Sequence, residues 1–312
     1  MMKKSMKIRI GFGSVMMAGV IGLMVWDWRL EASDVSGAGV KGLPLAGLIA
    51  LMAAMGFLEV HRMAKALGTS GLRISGVLGT VAIATLPVWS QFLAFDASMK
   101  MSSGAKYLPL LLLGGVVGLI FLEQMAVHRT EDALRRVAVT ALGVLYVGVG
   151  SCLVLLLRVE HGLAFLVLFL AVVKFTDIGA YFTGSFLGKH KLIPWLSPGK
   201  SWEGLAGGLV TAAGVAVLGA WLMKTFPFGK HDWFGPLFGP GSHLWRYVMF
   251  GVVVGAFGQF ADLCESLLKR AAGVKDSGAI VPEFGGVLDI ADSPLLAAPI
   301  ALLYVEAFTY IA

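Results

Sequence analysis

The sequence predicts an all-α, polytopic membrane protein with about nine transmembrane helices and a cytoplasmic N-terminus. Hydrophobic residues make up 57% of the 312-residue chain and charged residues only 14%, whereas soluble domains carry roughly 25% charged residues. The apolar residues are collected into runs that approach the roughly 20 residues needed to cross a bilayer. The 41 glycines also suit helices that pack closely in lipid.

The predicted spans follow one another with short loops between them. We place them at residues 10–26, 43–58, 74–95, 107–126, 137–157, 163–186, 205–223, 247–263 and 293–311. The basic segment before the first span also occurs in signal peptides, and a weak cleavage candidate lies near Ala32. A multispanning protein needs no removable leader, so we expect an uncleaved first helix.

The loops between these runs alternate in charge. Cations precede the first span and recur after the second, fourth, sixth and eighth spans: Lys3, Lys4, Lys7 and Arg9, then Arg62, Lys65, Arg73, Arg129, Arg135, Arg136, Lys189, Lys191, Lys200, Lys269, Arg270 and Lys275. Cytoplasmic loops of membrane proteins are enriched in Lys and Arg, so this pattern predicts a cytoplasmic N-terminus and an external C-terminus.

The same loops account for the net charge of +6, and we therefore expect no nucleic-acid partner. Cys152 and Cys264 lie in apolar surroundings and have neither a disulfide framework nor metal-ligand spacing. No internal repeat is evident, which argues weakly against an inverted-repeat transporter. The composition indicates a single integral membrane domain over residues 1–312.

A first polar group lies at the end of the sixth predicted span. Lys174 and Asp177 are three residues apart and share a helical face, where they would form a structural ion pair or a functional site. The loop that follows, GKHKLIPWLSPGKSWEG, supplies ammonium groups and exposed backbone N–H groups, which phosphates require. Ser201 and Glu203 also indicate a helix start, whose positive end attracts anions. The alternative is a basic loop that only sets topology.

A second polar group fills residues 258–293, between two apolar spans. Its charged residues are Asp262, Glu265, Lys269, Arg270, Lys275, Asp276, Glu283, Asp289 and Asp292. Asp262, Glu265 and Lys269 would share one helical face, and Asp289 and Asp292 repeat the three-residue spacing. Carboxylates suit Mg²⁺, and the neighbouring cations suit a phosphorylated ligand that arrives with it. The alternative is an interfacial loop with surface salt bridges. Together the two groups indicate a membrane enzyme that handles phosphates with Mg²⁺ on the cytoplasmic face.

These two stretches resemble the phosphatidate cytidylyltransferase (CDP-diacylglycerol synthase) family. The family motif S-x-x-K-R, K-D-x-G, Pro, H-G-G and D-R-x-D is matched at Ser266, Lys269, Arg270, Lys275, Asp276, Gly278, Pro282, Gly285, Gly286, Asp289 and Asp292. The preceding pattern is matched at Gly258, Gln259, Asp262, Leu263 and Glu265, and the upstream D-x-G-A-Y, G-K-H-K-L and S-P-x-K-[TS]-W-E-G pattern at residues 177–204. The motif departs from the family at Phe284 and Ile290, which replace a His and an Arg, and also at Val281 and Ala291.

The resemblance implies that CTP and phosphatidic acid are converted to CDP-diacylglycerol and pyrophosphate, with Mg²⁺ and room for a second cation. It implies metal ligation by Asp262 and Asp289 first, with Asp292 and Asp276 next. It implies that Lys269, Arg270 and Lys275 neutralise the triphosphate. Substrate binding is implied for Asp177, Ser197, Lys200, Ser201, Glu203, Gly285 and Gly286.

By the same resemblance, residues 1–160 supply N-terminal membrane helices and residues 170–312 the catalytic half. We expect a protein of the bacterial inner membrane, in contact with the lipid bilayer, with its active site on the cytoplasmic face; a homodimer is left open. Three alternatives stay open as well: a CTP-dependent enzyme acting on another lipid phosphate or a polyprenol, a catalytically silent homologue, and an anion transporter.

Overall fold

The computed structural model describes residues 2–33, 41–94, 107–225, 243–278 and 285–311. Helices dominate these residues, joined by one short β-hairpin. The helices are α1 (Met2–Ser33), α2 (Leu43–Ala66), α3 (Arg73–Ala84), α4 (Leu86–Ala94), α5 (Leu108–Glu123), α6 (Ala133–Gly143), α7 (Gly150–Leu187), α8 (Trp202–Thr225), α9 (Leu244–Ala271) and α10 (Leu288–Ile311). Two π-helical segments, Gln124–His128 and Val144–Val149, follow α5 and α6. The all-α prediction is confirmed.

Six helical stretches within the described residues are long and apolar enough to cross a membrane: Leu43–Ala66, Leu108–His128, Ala133–Leu187, Trp202–Leu222, Leu244–Ala271 and Leu288–Phe308. Large apolar side chains on them face outward; Leu110 of α5, for example, is 68% exposed. Such surfaces are stable in lipid, and the helices satisfy their own backbone hydrogen bonds there. The chain is therefore an integral membrane protein.

The predicted count of nine spans is not confirmed. Residues 74–95 form two short helices, α3 and α4, because the helix ends at Thr85 and Pro87 follows within the first turn of the next. Residues 137–157 and 163–186 lie in one helical stretch that is interrupted at Gly162, whose φ of 84° is not helical. The first predicted span lies within α1.

The chain forms two compact units. Unit 1 comprises Met1–Val159 and Ala271–Ala291, and unit 2 comprises Glu160–Arg270 and Asp292–Ala312. The core of unit 1 is built on Phe57, Leu72, Ile83, Ile120 and Val144. These residues come from α2, the start and the body of α3, α5 and the π-helical segment after α6, so several helices each contribute an apolar side chain to this core. The prediction of one domain over residues 1–312 stays a prediction.

A buried ion-pair network also holds unit 1. Arg158 is 0% exposed, and its guanidinium lies 2.5 Å from Asp27 Oδ2 and 2.8 Å from Glu31 Oε2. A charge in an apolar interior is costly unless it is paired and hydrogen-bonded. The two carboxylates of α1 therefore offset the burial of the cation.

Unit 2 packs through small residues and aromatic rings. A side chain at Gly251 would collide with the backbone of Ala212 on α8, so the glycine permits close approach of α9. The rings of Phe165 and Phe250 lie 5.6 Å apart, as do those of Phe250 and Tyr304. The Tyr304 hydroxyl donates to the Arg246 carbonyl at 2.8 Å. Together these contacts fix α7, α9 and α10 around the residues described next.

Candidate active site

The basic loop of the sequence folds as a β-hairpin in unit 2. Strands β1 (Lys191–Ile193) and β2 (Ser197–Ser201) pair antiparallel, with Lys191 opposite Ser201. Helix α8 begins directly after β2, and the buried Ser201 hydroxyl accepts the Gly204 N–H at 3.1 Å. Serine side chains satisfy N–H groups that a helix start leaves unpaired. The helix start predicted at Ser201 is therefore confirmed.

Beside the hairpin lies a cleft of about 660 Å³ in unit 2. Its lining combines residues from α7, the hairpin, α8 and α9: Asp177, Ala180, Tyr181, Gly184, Ser185, Gly188, Lys191, Leu192, Ser197, Gly199, Lys200, Ser201, Gly204, Leu205, Gln259 and Asp262. This volume is within the range of small-molecule sites. Glycines and hydroxyls line much of it, leaving backbone groups accessible to a ligand.

Lys200 joins the two polar groups of the sequence. Its ammonium lies 2.7 Å from Asp262 Oδ2 and donates to the Gln259 carbonyl at 3.1 Å. The Gln259 side chain in turn donates to Asp177 Oδ1 at 2.7 Å. The two polar groups, which the sequence placed in residues 174–204 and 258–293, thus meet in one hydrogen-bonded network.

A group of three carboxylates adjoins this network and shares Asp262 with it. One oxygen each from Asp262, Glu265 and Asp292 lies within 4.8 Å of the others, and the last two side chains are buried. Anionic oxygens at such spacing repel one another unless a cation or proton lies among them. Hard carboxylate oxygens are the ligands that Mg²⁺ takes, so the donor set fits that ion.

Two predicted cations of α9 make different contacts. Lys269 pairs with Glu265 at 2.5 Å across one helical turn, which realises the predicted common face of α9. Arg270, at the end of α9, donates to the Leu196 carbonyl of the hairpin over 3.5 Å. Both side chains belong to helix α9, which runs eight residues beyond the predicted span end at residue 263.

Other predicted residues are described by the contacts within their own unit. Glu203 accepts hydrogen bonds from the backbone N–H groups of Lys189 and His190, and from the His190 ring at 2.6 Å. This contact closes the base of the hairpin. Lys275 and Asp276 are exposed and belong to unit 1, as do Gly285, Gly286 and Asp289.

Asp289 is held within unit 1. Its Oδ2 accepts the backbone N–H of Ser277 at 3.0 Å and that of Gly286 at 2.7 Å, and the Ser277 hydroxyl lies 2.9 Å away. Gly285 has a φ of 90°, a conformation that side chains disfavour. The described contacts of Asp289 thus organise the start of α10, whereas Asp292, three residues later, belongs to the carboxylate group.

Sequence reasoning missed Glu59. This α2 carboxylate is 0% exposed and accepts the N–H groups of Val287 at 2.9 Å and Leu288 at 2.8 Å, where α10 begins. It also lies 2.9 Å from the Ser277 hydroxyl. The available signal was an acid at the end of an apolar run, which is expensive without a partner. Gln259 is part of the matched motif, but the sequence did not predict that it would hydrogen-bond to both Lys200 and Asp177.

The structure therefore brings Asp177, Ser197, Lys200, Ser201 and Asp262 to one cleft, with Glu265 and Asp292 beside Asp262. It shows Asp289, Gly285 and Gly286 with Glu59. Phe284 lies outside the described residues, whereas Ile290 lies in the first turn of α10.

Comparisons with known proteins agree with these features. The profile of the Cytidylyltransferase family matches residues 8–308. A phosphatidate cytidylyltransferase of Bacillus subtilis is 31% identical over 274 residues, covering 86% of this chain and 91% of the relative. That of Staphylococcus saprophyticus is 34% identical over 181 residues, covering 58% and 64%.

A phosphatidate cytidylyltransferase of Haemophilus influenzae is 39% identical over 153 residues, covering 47% of this chain and 49% of the relative. The chain thus spans about half the length of that relative and nearly all of the Bacillus protein. A match across almost the whole sequence, with both motifs inside it, settles the family: this chain belongs to the cytidylyltransferase family.

Proposed function

We propose that this chain is a nucleotidyltransferase that converts CTP and phosphatidic acid into CDP-diacylglycerol and pyrophosphate. The observation that carries the proposal is the contact of Lys200 with Asp262 at 2.7 Å. It joins a cation of the hairpin to an acid of α9 in a cleft large enough for a nucleotide. The names of the relatives support these two substrates.

The reaction needs positioning and charge neutralisation more than covalent work by side chains. A phosphate oxygen of phosphatidic acid attacks the α-phosphorus of CTP, while the bond from that phosphorus to the bridging oxygen breaks and pyrophosphate departs with the electron pair. The attacking oxygen is already anionic, so no strong general base is required. An enzyme without a His at position 284 is compatible with this chemistry.

Lys200, Lys269 and Arg270 would carry the electrostatic work in unit 2. Their cations offset the negative charge of the phosphates, which increases on the leaving group as the bond breaks. The hydroxyls of Ser197 and Ser201 line the same cleft and would donate to phosphate oxygens. Gln259 holds Asp177 and Lys200 in place.

Asp262, Glu265 and Asp292 would hold Mg²⁺. When bound there, Mg²⁺ would add positive charge beside the reacting phosphate oxygens. Asp289 was the other implied ligand; its Oδ2 already accepts backbone hydrogen bonds, so we assign it to holding the loop before α10. Glu265 replaces Asp289 in our proposed ligand set.

The bacterial origin of the relatives supports a location in the bacterial inner membrane. The cation-rich loops support a cytoplasmic active site, since they mark the cytoplasmic side. Homodimer formation stays a prediction, which cross-linking of the purified chain in detergent would test.

The deciding experiment is an assay of the purified full chain with radiolabelled CTP, phosphatidic acid and Mg²⁺. We expect labelled CDP-diacylglycerol and one pyrophosphate per turnover, both absent from an Asp262→Asn variant. The proposal fails if the chain gives no product while the Bacillus subtilis relative is active in parallel. Product from a polyprenyl phosphate but not from phosphatidic acid would assign a different substrate.

A further inference from the structure

A second cleft, of about 830 Å³, lies entirely within unit 1. It is formed where α2 ends, α3 begins and the π-helical segment after α5 ends. It shares no lining residue with the cleft of unit 2. None of the residues assigned above to the reaction lines it.

One end of this cleft is cationic. Lys65 in the last turn of α2 and Arg73 at the start of α3 line it together with His61 and His128. Ser70 also lines it and accepts a hydrogen bond from Arg136 at 2.8 Å. Within the described residues, Nδ1 of the lining residue His61 is buried with no hydrogen-bond partner. A protonated Nδ1 would donate to an acceptor oxygen of a ligand.

Among the described lining residues, the single carboxylate, Glu123, is already engaged. Glu123 accepts the backbone N–H of Ser75 at 2.6 Å and that of Ile74 at 3.3 Å. These N–H groups belong to the first turn of α3. The first N–H groups of a helix have no partner within the helix. The carboxylate is therefore committed to the helix start, and the cations of the cleft remain available for an anion.

The other end of the cleft is apolar. Leu58 lies two turns before Lys65 on α2, and Val77 lies one turn after Arg73 on α3. Ile74 and Leu78 also line it and are 64% and 55% exposed. Both helices continue away from the cations through apolar sequence, so the cleft is cationic at the helix ends and apolar along the helices. This polarity matches a phospholipid, whose charged head group adjoins apolar chains.

We propose that this cleft binds an anionic phospholipid, with its head-group phosphate at Lys65, Arg73 and the two histidines and its acyl chains along Leu58, Val77 and Leu78. The charge complementarity selects a head group with net negative charge over a zwitterionic one. The apolar wall selects a membrane lipid over a free phosphate. The site is independent of the proposed reaction, because it uses none of the residues assigned to it.

The test is photocrosslinking of the full chain in detergent micelles with phosphatidylglycerol that carries a diazirine on its acyl chain, followed by peptide mapping. We expect labelled peptides from residues 58–78 and 123–128. Each of the exposed-cation variants Lys65→Gln and Arg73→Gln should weaken binding about fivefold, because one cation near a lipid surface contributes about that factor. The double variant should lose about 25-fold on the same basis.

The matched control is the double variant Arg62→Gln and Arg135→Gln, which removes two exposed cations, one near the end of α2 and one at the start of α6, without touching the cleft lining. It should bind like the unaltered chain, and so should Asp262→Asn. The proposal is overturned if the control variant loses as much lipid binding as the double variant of Lys65 and Arg73. It is also overturned if that double variant is labelled as strongly as the unaltered chain. Equal labelling by a phosphatidylcholine probe would remove the anionic preference, and competition by glycerol 3-phosphate at equal concentration would show a free-phosphate site instead.

Discussion

The buried carboxylate of Glu59 accepts the backbone N–H of Leu288 at 2.8 Å, although 229 residues separate them. It accepts the N–H of Val287 as well, at 2.9 Å. The first N–H groups of a helix have no internal partner, and negative charge is favourable there. Glu59 therefore fixes the start of α10, the helix that carries Asp289 and Asp292.

Replacing Glu59 with Gln should lower both stability and turnover. The variant keeps the side-chain shape but removes the charge and one of two acceptors, and a buried unsatisfied N–H costs about 1–3 kcal/mol. We expect the free energy of unfolding to fall by about that amount, with kcat reduced and KM for CTP little changed. Denaturant unfolding in detergent and steady-state kinetics measure these quantities.

Glu123→Gln is the matched control for Glu59, since Glu123 also accepts two backbone N–H groups at a helix start. It should lose stability to a similar degree and keep its kcat. If both variants lose stability equally and neither loses kcat, Glu59 has a structural role only.

Asp292→Asn should raise the Mg²⁺ concentration that gives half-maximal turnover by about tenfold or more, because it removes one anionic ligand from the proposed set. The measurement is a Mg²⁺ titration of activity at saturating CTP. Glu306→Gln, on the same helix and half-exposed, should leave that titration unchanged. An unchanged titration for Asp292→Asn would refute its assignment as a ligand.

Removal of divalent cations with EDTA should abolish turnover, and added Mg²⁺ should restore it. The reason is that one oxygen each from Asp262, Glu265 and Asp292 lies within 4.8 Å of the others, and such a set of carboxylate oxygens suits a divalent cation. The assay compares activity before chelation, after it and after readdition. Full activity in excess EDTA would rule out a divalent ion at this group.

Lys200→Gln should raise KM for CTP by tenfold or more, because hydrogen bonds to charged groups contribute about 1.5–3 kcal/mol. The same substitution at the exposed Lys189, which lies outside the cleft lining, should change KM less than twofold. Kinetics at varied CTP distinguish the two. Equal effects would mean that only the overall positive charge of the loop matters.

Arg158→Met should destabilise unit 1 strongly. The substitution leaves Asp27 and Glu31 without the cation that they contact, and breaking a buried ion pair costs about 3–5 kcal/mol. Thermal unfolding in detergent should show a lower midpoint, while Arg129→Met at an exposed position should match the unaltered chain. An unchanged midpoint for Arg158→Met would indicate that the pair contributes nothing to stability.

The sequence predicted the residues of the cleft better than it predicted the number of membrane spans. Asp262, Lys200 and Ser201 were selected from residue chemistry and motif spacing, and they lie in one cleft. The spans were harder, because hydrophobic runs do not show where a helix breaks. Thr85 interrupts one apolar run, while Gly162 breaks a helical stretch that contains two predicted spans.

By itself, the sequence determined that the chain is helical, embedded in lipid and a member of its family, because composition and ordered motifs are local properties that need no coordinates. Only the tertiary structure decided which acids stand together. Asp289 and Asp292 have equivalent spacing in the sequence, yet one accepts hydrogen bonds from Ser277 and Gly286 and the other joins Asp262 and Glu265. The contact of Glu59 with the start of α10 spans 229 residues, and no local pattern records a contact at that separation.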